Sequence, residues 1–207
     1  MLVAGFAGCG RPACLLRALR VQGARGLTLV CQGVWPASPG RGQARDGIED
    51  LVAEGQVAKL VAPVAFYPGH GGAVEERWKS GGLEIEAVPQ GVLAERLRAG
   101  GAGLGGVFLP AGVGTRFAEG KEVRHIGGGD QVFESALRAD FALLRAHAAD
   151  TLGNLVYWGT QRNWNPVMAM ATGVSIVEVD EVLDPGGLDP EVVITPGMFV
   201  NRIVRTV

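Results

Sequence analysis

Short apolar runs alternate with stretches of helical spacing through the first half of the chain. Residues 2–6 read as a strand, and residues 12–21 as a helix with Pro12 in its first turn, where a missing N–H does no harm. Residues 27–31, rich in apolar and branched side chains and introduced by Gly26, form the next strand. The spacing then predicts a helix over 48–54, a strand over 57–61, a helix over 74–79, a strand over 83–87, a helix over 92–99 and a strand over 107–109. Beyond that the pattern changes. Residues 122–126 and 131–133 flank Gly127-Gly128-Gly129-Asp130, a hairpin signature, and strands follow over 141–146, 174–179 and 199–204.

Repeated strand–helix–strand units imply an α/β fold: a mostly parallel sheet with helices on both faces, plus a small antiparallel appendage. No linker or internal repeat divides the chain, so residues 1–207 are expected to form a single domain. The chain opens inside a strand that reads as buried. An N-terminal strand or helix of the domain is therefore expected to be missing.

Composition narrows the classes of partner. Hydrophobic residues at 47% against charged residues at 19% favour a packed body over disorder. A net charge of −2 supplies no attraction to nucleic acid or to an anionic membrane. No apolar run reaches membrane-spanning length, and Met1-Leu2-Val3-Ala4 lacks the basic start of a signal peptide, so the cytosol is the expected compartment. Cys9, Cys14 and Cys31 show no C-x-x-C spacing, and His70, His125 and His147 fall in separate segments, so neither a disulfide framework nor a metal site is expected. His70, within Pro68-Gly69-His70-Gly71-Gly72, reads as a loop residue.

Three glycine-dense segments carry the candidate chemistry. In Ala4-Gly5-Phe6-Ala7-Gly8-Cys9-Gly10-Arg11-Pro12 a strand runs into a helix N-terminus, where N–H groups can face an anion and missing side chains admit a phosphate or a pantetheine. The same glycines would equally serve a tight turn that needs positive φ. In the second, Val88-Pro89-Gln90-Gly91 leads to Gly101-Ala102-Gly103 and Gly106. The formal G-x-G-x-x-G there follows a helix and precedes a strand, the reverse of the dinucleotide fingerprint, so nicotinamide binding is disfavoured. Gln90 can donate to an oxyanion or cap a loop. In the third, Asn163 and Asn165 can hold a ligand, although side-chain bonds to backbone suit them better. The serines (Ser38, Ser80, Ser135 and Ser175) avoid G-x-S-x-G and there is no P-loop, so no self-sufficient catalytic set is present.

These segments resemble the alpha subunits of the family I CoA-transferases, which include 3-oxoacid, 3-oxoadipate and acetate/butyrate–acetoacetate enzymes. The family's G-G-F-x-x-x-G-x-P appears here as Ala4-Gly5-Phe6, Gly10, Arg11 and Pro12, with Ala4 departing from the first glycine. Its P-Q-G-x-L-A-E-R-I-R-A-G-G-A-G appears almost in order from Pro89 to Gly103. Gly153-Asn154-Leu155, Arg162-Asn163-Trp164-Asn165-Pro166 and Thr195-Pro196-Gly197 continue the likeness. It lapses between Gln32 and Gly72, where Trp35-Pro36 and Tyr67-Pro68-Gly69-His70 replace the usual loops.

The resemblance implies transfer of CoA between a short acyl-CoA and a carboxylate, acetoacetate or another 3-oxo acid. Coenzyme A is then a substrate, with no permanently bound cofactor. The nucleophile would be a Glu in a Ser-Glu-Asn-Gly motif of a separate beta subunit, in an α2β2 assembly, because no such motif occurs here. It assigns an oxyanion donor to Gln90 and CoA or substrate contacts to Ala4, Gly5, Phe6, Ala7, Gly8, Cys9 and Gly10, and extends the contact set to Gly101, Ala102, Gly103 and Asn163. The competing readings are a degenerate alpha subunit and a small-molecule-binding or sugar-phosphate isomerase-like domain of the same fold.

Overall fold

The structure, a computed structural model, describes residues 1–34, 47–69 and 72–206. Trp35, Pro36 and His70 lie outside the described residues. The first half alternates as the hydrophobic pattern predicts: β1 Leu2–Val3, α1 Ala13–Gln22, β2 Leu27–Val30, α2 Ile48–Ala53, β3 Val57–Ala62, α3 Ala73–Lys79, β4 Glu84–Ala87 and α4 Gln90–Gly101. The second half adds β5 Gly106–Leu109, β6 Val123–Ile126, β7 Gly129–Ser135, β8 Ala139–Arg145, β9 Ala148–Asp150, β10 Leu155–Val156, α5 Asn165–Met170, β11 Thr172–Val179, β12 Glu181–Leu183 and β13 Arg202–Arg205.

Seven strands form one sheet in the order β13-β11-β8-β1-β2-β3-β4, and every neighbouring pair is parallel. Strand alternation sorts the apolar side chains between its two faces. Val3, Leu29, Leu60 and Leu143 point to one side and pack with Leu16, Leu51, Val52 and Val74 of α1, α2 and α3. Leu2, Val30, Val61, Ala142 and Leu144 point to the other and pack with Val92, Leu93, Leu97 and Met168 of α4 and α5. Helices therefore cover both faces, as expected.

The departures from expectation have local causes. Strand β1 stops at Val3 rather than continuing to Phe6, because Gly5 turns at φ 118 and Phe6 pairs back on Cys9. Strand β5 does not join the parallel set that its strand–helix spacing implies. It pairs antiparallel with β7, which also pairs antiparallel with β6, and these three make the appendage. Gly106 permits this approach, since a Cβ there would lie 2.4 Å from the Phe133 ring. The hairpin turn is tighter than the glycine run suggests: Gly127 and Gly128 alone connect the strands, at φ 61 and 85, the positive values of a two-residue primed turn. Helix α5 lies in a stretch that reads as turns from its Asn content, and the strands of the small sheet β10-β9-β12 are ones the hydrophobic pattern does not single out.

Candidate functional site

From β1 the chain winds through β2 and β3 to β4 on one side of the sheet, while β8, β11 and β13 fill the other. The winding reverses between β1 and β8, and in such sheets ligands bind beyond the carboxyl ends of the strands at this point. The segment from Ala4 to Pro12 leaves β1 there. Its tip is a two-residue turn: Phe6 and Cys9 exchange backbone hydrogen bonds of 2.9 Å in each direction. Ala7 and Gly8 occupy the turn at φ 48 and 88, and Ala7 is the single non-glycine residue in the left-handed region among those described. Phe6, Ala7, Gly8 and Cys9 are all exposed, and a Cβ on Gly8 would meet nothing within 4 Å. The tip thus offers unobstructed backbone to an incoming ligand.

The base of the loop is fixed from below. Asn165, wholly buried, donates from Nδ2 to the Gly10 carbonyl at 3.2 Å and the Gln161 carbonyl at 2.7 Å, and its Oδ1 accepts from the Arg145 N–H at 2.8 Å. Asn163 donates from Nδ2 to the carbonyls of Cys9 at 3.1 Å and Thr160 at 2.7 Å. Both amides brace the loop through backbone bonds, and the Asn163 Nδ2 has its donors engaged. Gly10 itself has φ 64, and a Cβ there would fall 2.5 Å from the Gln161 carbonyl oxygen and 2.9 Å from each Asn amide nitrogen.

The N-terminus of α1 is already capped by an anion from within the chain. Glu178, at the carboxyl end of β11, accepts from the Leu15 N–H at 3.0 Å and is also bonded by the Cys14 and Ala13 N–H groups. Burial pushes its carboxyl above the usual range, against the opposing pull of those donors and of Arg145. Arg145, opposite Glu178 in the β8–β11 register, pairs with it at 3.3 Å and with Asp180, and His147 Nδ1 lies 3.3 Å from Asp180. The helix dipole and donors that a phosphate would use are therefore occupied by Glu178. The exposed turn above is left clear of such contacts. Sequence reasoning did not single out Arg145 or Glu178. Their signal was a charge inside an otherwise apolar parallel strand.

Gln90 is the first residue of α4, after Pro89 at the N-cap position. It is exposed, and its side chain forms no hydrogen bond with the described residues. It shares the carboxyl edge with the β1 loop, β4 being three strand spacings, or about 14 Å, from β1. Gly101, Ala102 and Gly103 lie at the opposite end. The length of α4 carries them about 18 Å from Gln90, and a Cβ on Gly101 would lie 2.7 Å from the Met170 Cβ. The structure thus gathers Ala4 to Gly10, Asn163 and Gln90 at one edge and sets the Gly101–Gly103 segment apart, at a helix-packing contact.

The thiols differ in setting. Cys31 is buried, which pushes it up to about 12, whereas Cys9 is exposed with its Sγ 3.0 Å from Thr160 Oγ1. Among the described residues, no group of His, Cys, Asp and Glu could hold a metal ion, and no helix is long and apolar enough to cross a membrane.

The chain is 43% identical over 206 residues to a 3-oxoadipate CoA-transferase subunit from Pseudomonas putida, covering 99% of this chain and 85% of that one. It is 42% identical over 204 residues to a subunit of a probable succinyl-CoA:3-ketoacid coenzyme A transferase from Bacillus subtilis strain 168, covering 99% and 82%. Its fold matches an acyl-CoA transferase of Escherichia coli O157:H7, solved as a thioester complex with CoA, at a TM-score of 0.78 and 21% identity, over 99% of this chain and 43% of that chain. The Coenzyme A transferase profile matches residues 1–206, and with relatives this similar over nearly the whole of this chain it belongs to the Coenzyme A transferase family.

Proposed function

We propose that this chain is the non-nucleophile subunit of a two-subunit CoA-transferase moving CoA between a short acyl-CoA and a 3-oxo acid. The observation that carries the reading is the pairing, at one sheet edge, of an exposed glycine turn with an unengaged carboxamide, Gln90, while Glu178 and Asp180 beside them are held by Arg145. A carboxylate locked in such a pair is a poor nucleophile. The attacking Glu then comes from a partner subunit, in a Ser-Glu-Asn-Gly motif, within an α2β2 assembly.

In this reading the partner's Glu attacks the thioester carbonyl and forms a tetrahedral oxyanion that accepts from Gln90 Nε2. Collapse expels CoA thiolate and leaves an acyl–glutamyl anhydride. The thiolate re-adds at the glutamyl carbonyl, releasing the first acid and giving glutamyl-CoA. The acceptor carboxylate reverses the sequence and leaves as the new acyl-CoA. The turn at Ala7 and Gly8 lies against CoA or the acyl chain. CoA enters as substrate, the reaction needs no other cofactor, and the enzyme works in the cytosol. Co-expression with a chain carrying Ser-Glu-Asn-Gly should give a stable complex that transfers CoA from succinyl-CoA or acetyl-CoA to acetoacetate. Full transfer by this chain alone would refute the division of labour.

A further inference from the structure

After β8 the chain runs through β9 and β10 and reaches Trp158, beside His147, which follows the carboxyl end of β8. The Trp158 indole is 71% exposed, the most exposed aromatic ring among the described residues, and the chemistry above does not use it. The ring is nevertheless held. His147 packs edge-on against it, with ring centroids 5.2 Å apart at 69°. His147 is itself fixed, its N–H donating to the Val156 carbonyl at 2.9 Å and its carbonyl accepting from the Asp180 N–H at 3.0 Å. The Trp158 N–H donates to Gln161 Oε1 at 3.1 Å, which sets the start of the helical turn Gly159–Arg162. An indole held in place yet left in water forgoes the burial that usually stabilises such rings, and presents a ready platform to a flat ligand.

The surroundings of the ring are polar and open. A Cβ on Gly159 would meet nothing within 4 Å, and Arg162 closes the helical turn with its side chain exposed. The Tyr157 phenol is pushed up to about 12 by burial, against the pull of Thr195 and of the Arg162 charge, so that cation lies near the residue preceding Trp158. Two residues past Trp158, Thr160 Oγ1 lies 3.0 Å from Cys9 Sγ, and the ring thus borders the exposed turn at Ala7 and Gly8. Along the carboxyl edge the order is Gln90 beyond β4, the glycine turn beyond β1, then His147 and Trp158 beyond β8. Strands β4 and β8 are four strand spacings apart, about 19 Å, a distance that an extended pantetheine–diphosphate chain spans.

We propose that Trp158 and Arg162 hold the nucleotide end of CoA, the indole stacking on the adenine and the guanidinium pairing with a phosphate oxygen. The inference rests on the CoA-transferase reading and adds a subsite to it. The thioester lies over Gln90, the pantetheine arm crosses the glycine turn, and the nucleotide sits beyond β8. A purine with its phosphates is favoured over an apolar surface of the partner subunit, because the residues after Trp158, Gly159 to Arg162, are small, polar or cationic.

The test uses the complex purified with its partner subunit. Initial rates are measured with succinyl-CoA and with succinyl-pantetheine, which lacks the nucleotide, in the wild type, Trp158→Ala, Trp158→Phe and Arg162→Gln. Trp158→Ala should lower the CoA-to-pantetheine ratio of kcat/KM by about tenfold or more, the usual loss when a base is deprived of its aromatic platform. Trp158→Phe should keep most of that ratio, and Arg162→Gln should lower it. Independently of turnover, adenosine 3′,5′-bisphosphate should quench the tryptophan fluorescence of the wild-type complex, and Trp158→Phe should lose that quench. An unchanged ratio in Trp158→Ala, an equal slowing with both donors, or a quench that survives in Trp158→Phe overturns the assignment. Separation of Trp158→Ala from its partner on size exclusion, with the ratio unchanged in the complex that remains, also overturns it and gives the ring to the subunit interface. A wild-type complex that transfers CoA from neither succinyl-CoA nor acetyl-CoA refutes the underlying transferase reading instead, and the quench still decides the nucleotide site.

Discussion

Replacing Gly10 and Gly8 one at a time by alanine separates the glycine that builds the loop from the glycine that serves a ligand. Both have positive φ, 64 and 88, so each alanine incurs the left-handed backbone cost of about 1–2 kcal/mol. There the similarity ends. At Gly10 the new methyl would sit 2.5 Å from the Gln161 carbonyl oxygen and 2.9 Å from the Asn163 and Asn165 amide nitrogens. Relieving that overlap displaces the Asn165 amide, which ties the loop to Arg145 and Gln161, and the Asn163 amide, which ties it to Thr160, adding about 1–3 kcal/mol for overpacking and disturbed hydrogen bonds. Gly10→Ala should therefore lower the urea-unfolding free energy by about 2–5 kcal/mol, and Gly8→Ala by only about 1–2 kcal/mol, since its methyl meets nothing within 4 Å. Steady-state kinetics on the folded complex should then reverse the ranking per unit of stability lost: Gly8→Ala raises the KM for acyl-CoA several-fold by crowding the open turn. Equal stability losses at the two positions would refute the clamp, and an unaltered KM in Gly8→Ala would remove the turn from the binding surface.

Two further predictions test the edge of the sheet. Gln90→Ala should reduce kcat about a hundredfold to a thousandfold, the usual effect of deleting one oxyanion donor, with acyl-CoA affinity nearly unchanged because the bond strengthens in the transition state; retention of most of the turnover would return Gln90 to a loop role. Glu178 has a folded pKa raised chiefly by burial, so its contribution is fully present below the unfolded pKa near 4.5 and is lost as pH rises through the folded value. The stability advantage of wild type over Glu178→Gln should thus be larger at pH 4 than at pH 7, read from denaturant midpoints at both pH values; the opposite slope would show that Arg145 and the α1 donors outweigh burial.

Much of the fold was legible in the order of the residues. The first eight elements follow directly from the spacing of apolar positions, because the inner strands place apolar residues on both faces and the helices turn apolar residues toward them. The run from Pro89 to Gly103, with Gly5-Phe6 and Gly10 to Pro12, sufficed to indicate the family, since those residue types recur in a fixed order whatever their contacts. Other features depend on partners distant along the chain. Strand β5 reads like its predecessors, and only the arrival of β7 from the far side of the hairpin decided that it pairs antiparallel. The glycines at 10 and 101 look alike in sequence, yet one is filled against by Asn163 and Asn165 and the other by Met170. Glu178 and Asn165 lie more than 150 residues from the segment they hold, with Glu178 reaching Leu15 and Asn165 reaching Gly10. No local pattern can report such contacts. The chain's own residues determined which backbone could form the loop, but folding determined that a carboxylate from β11 would occupy the helix N-terminus, because burial makes that donor cluster demand an acceptor before any ligand arrives.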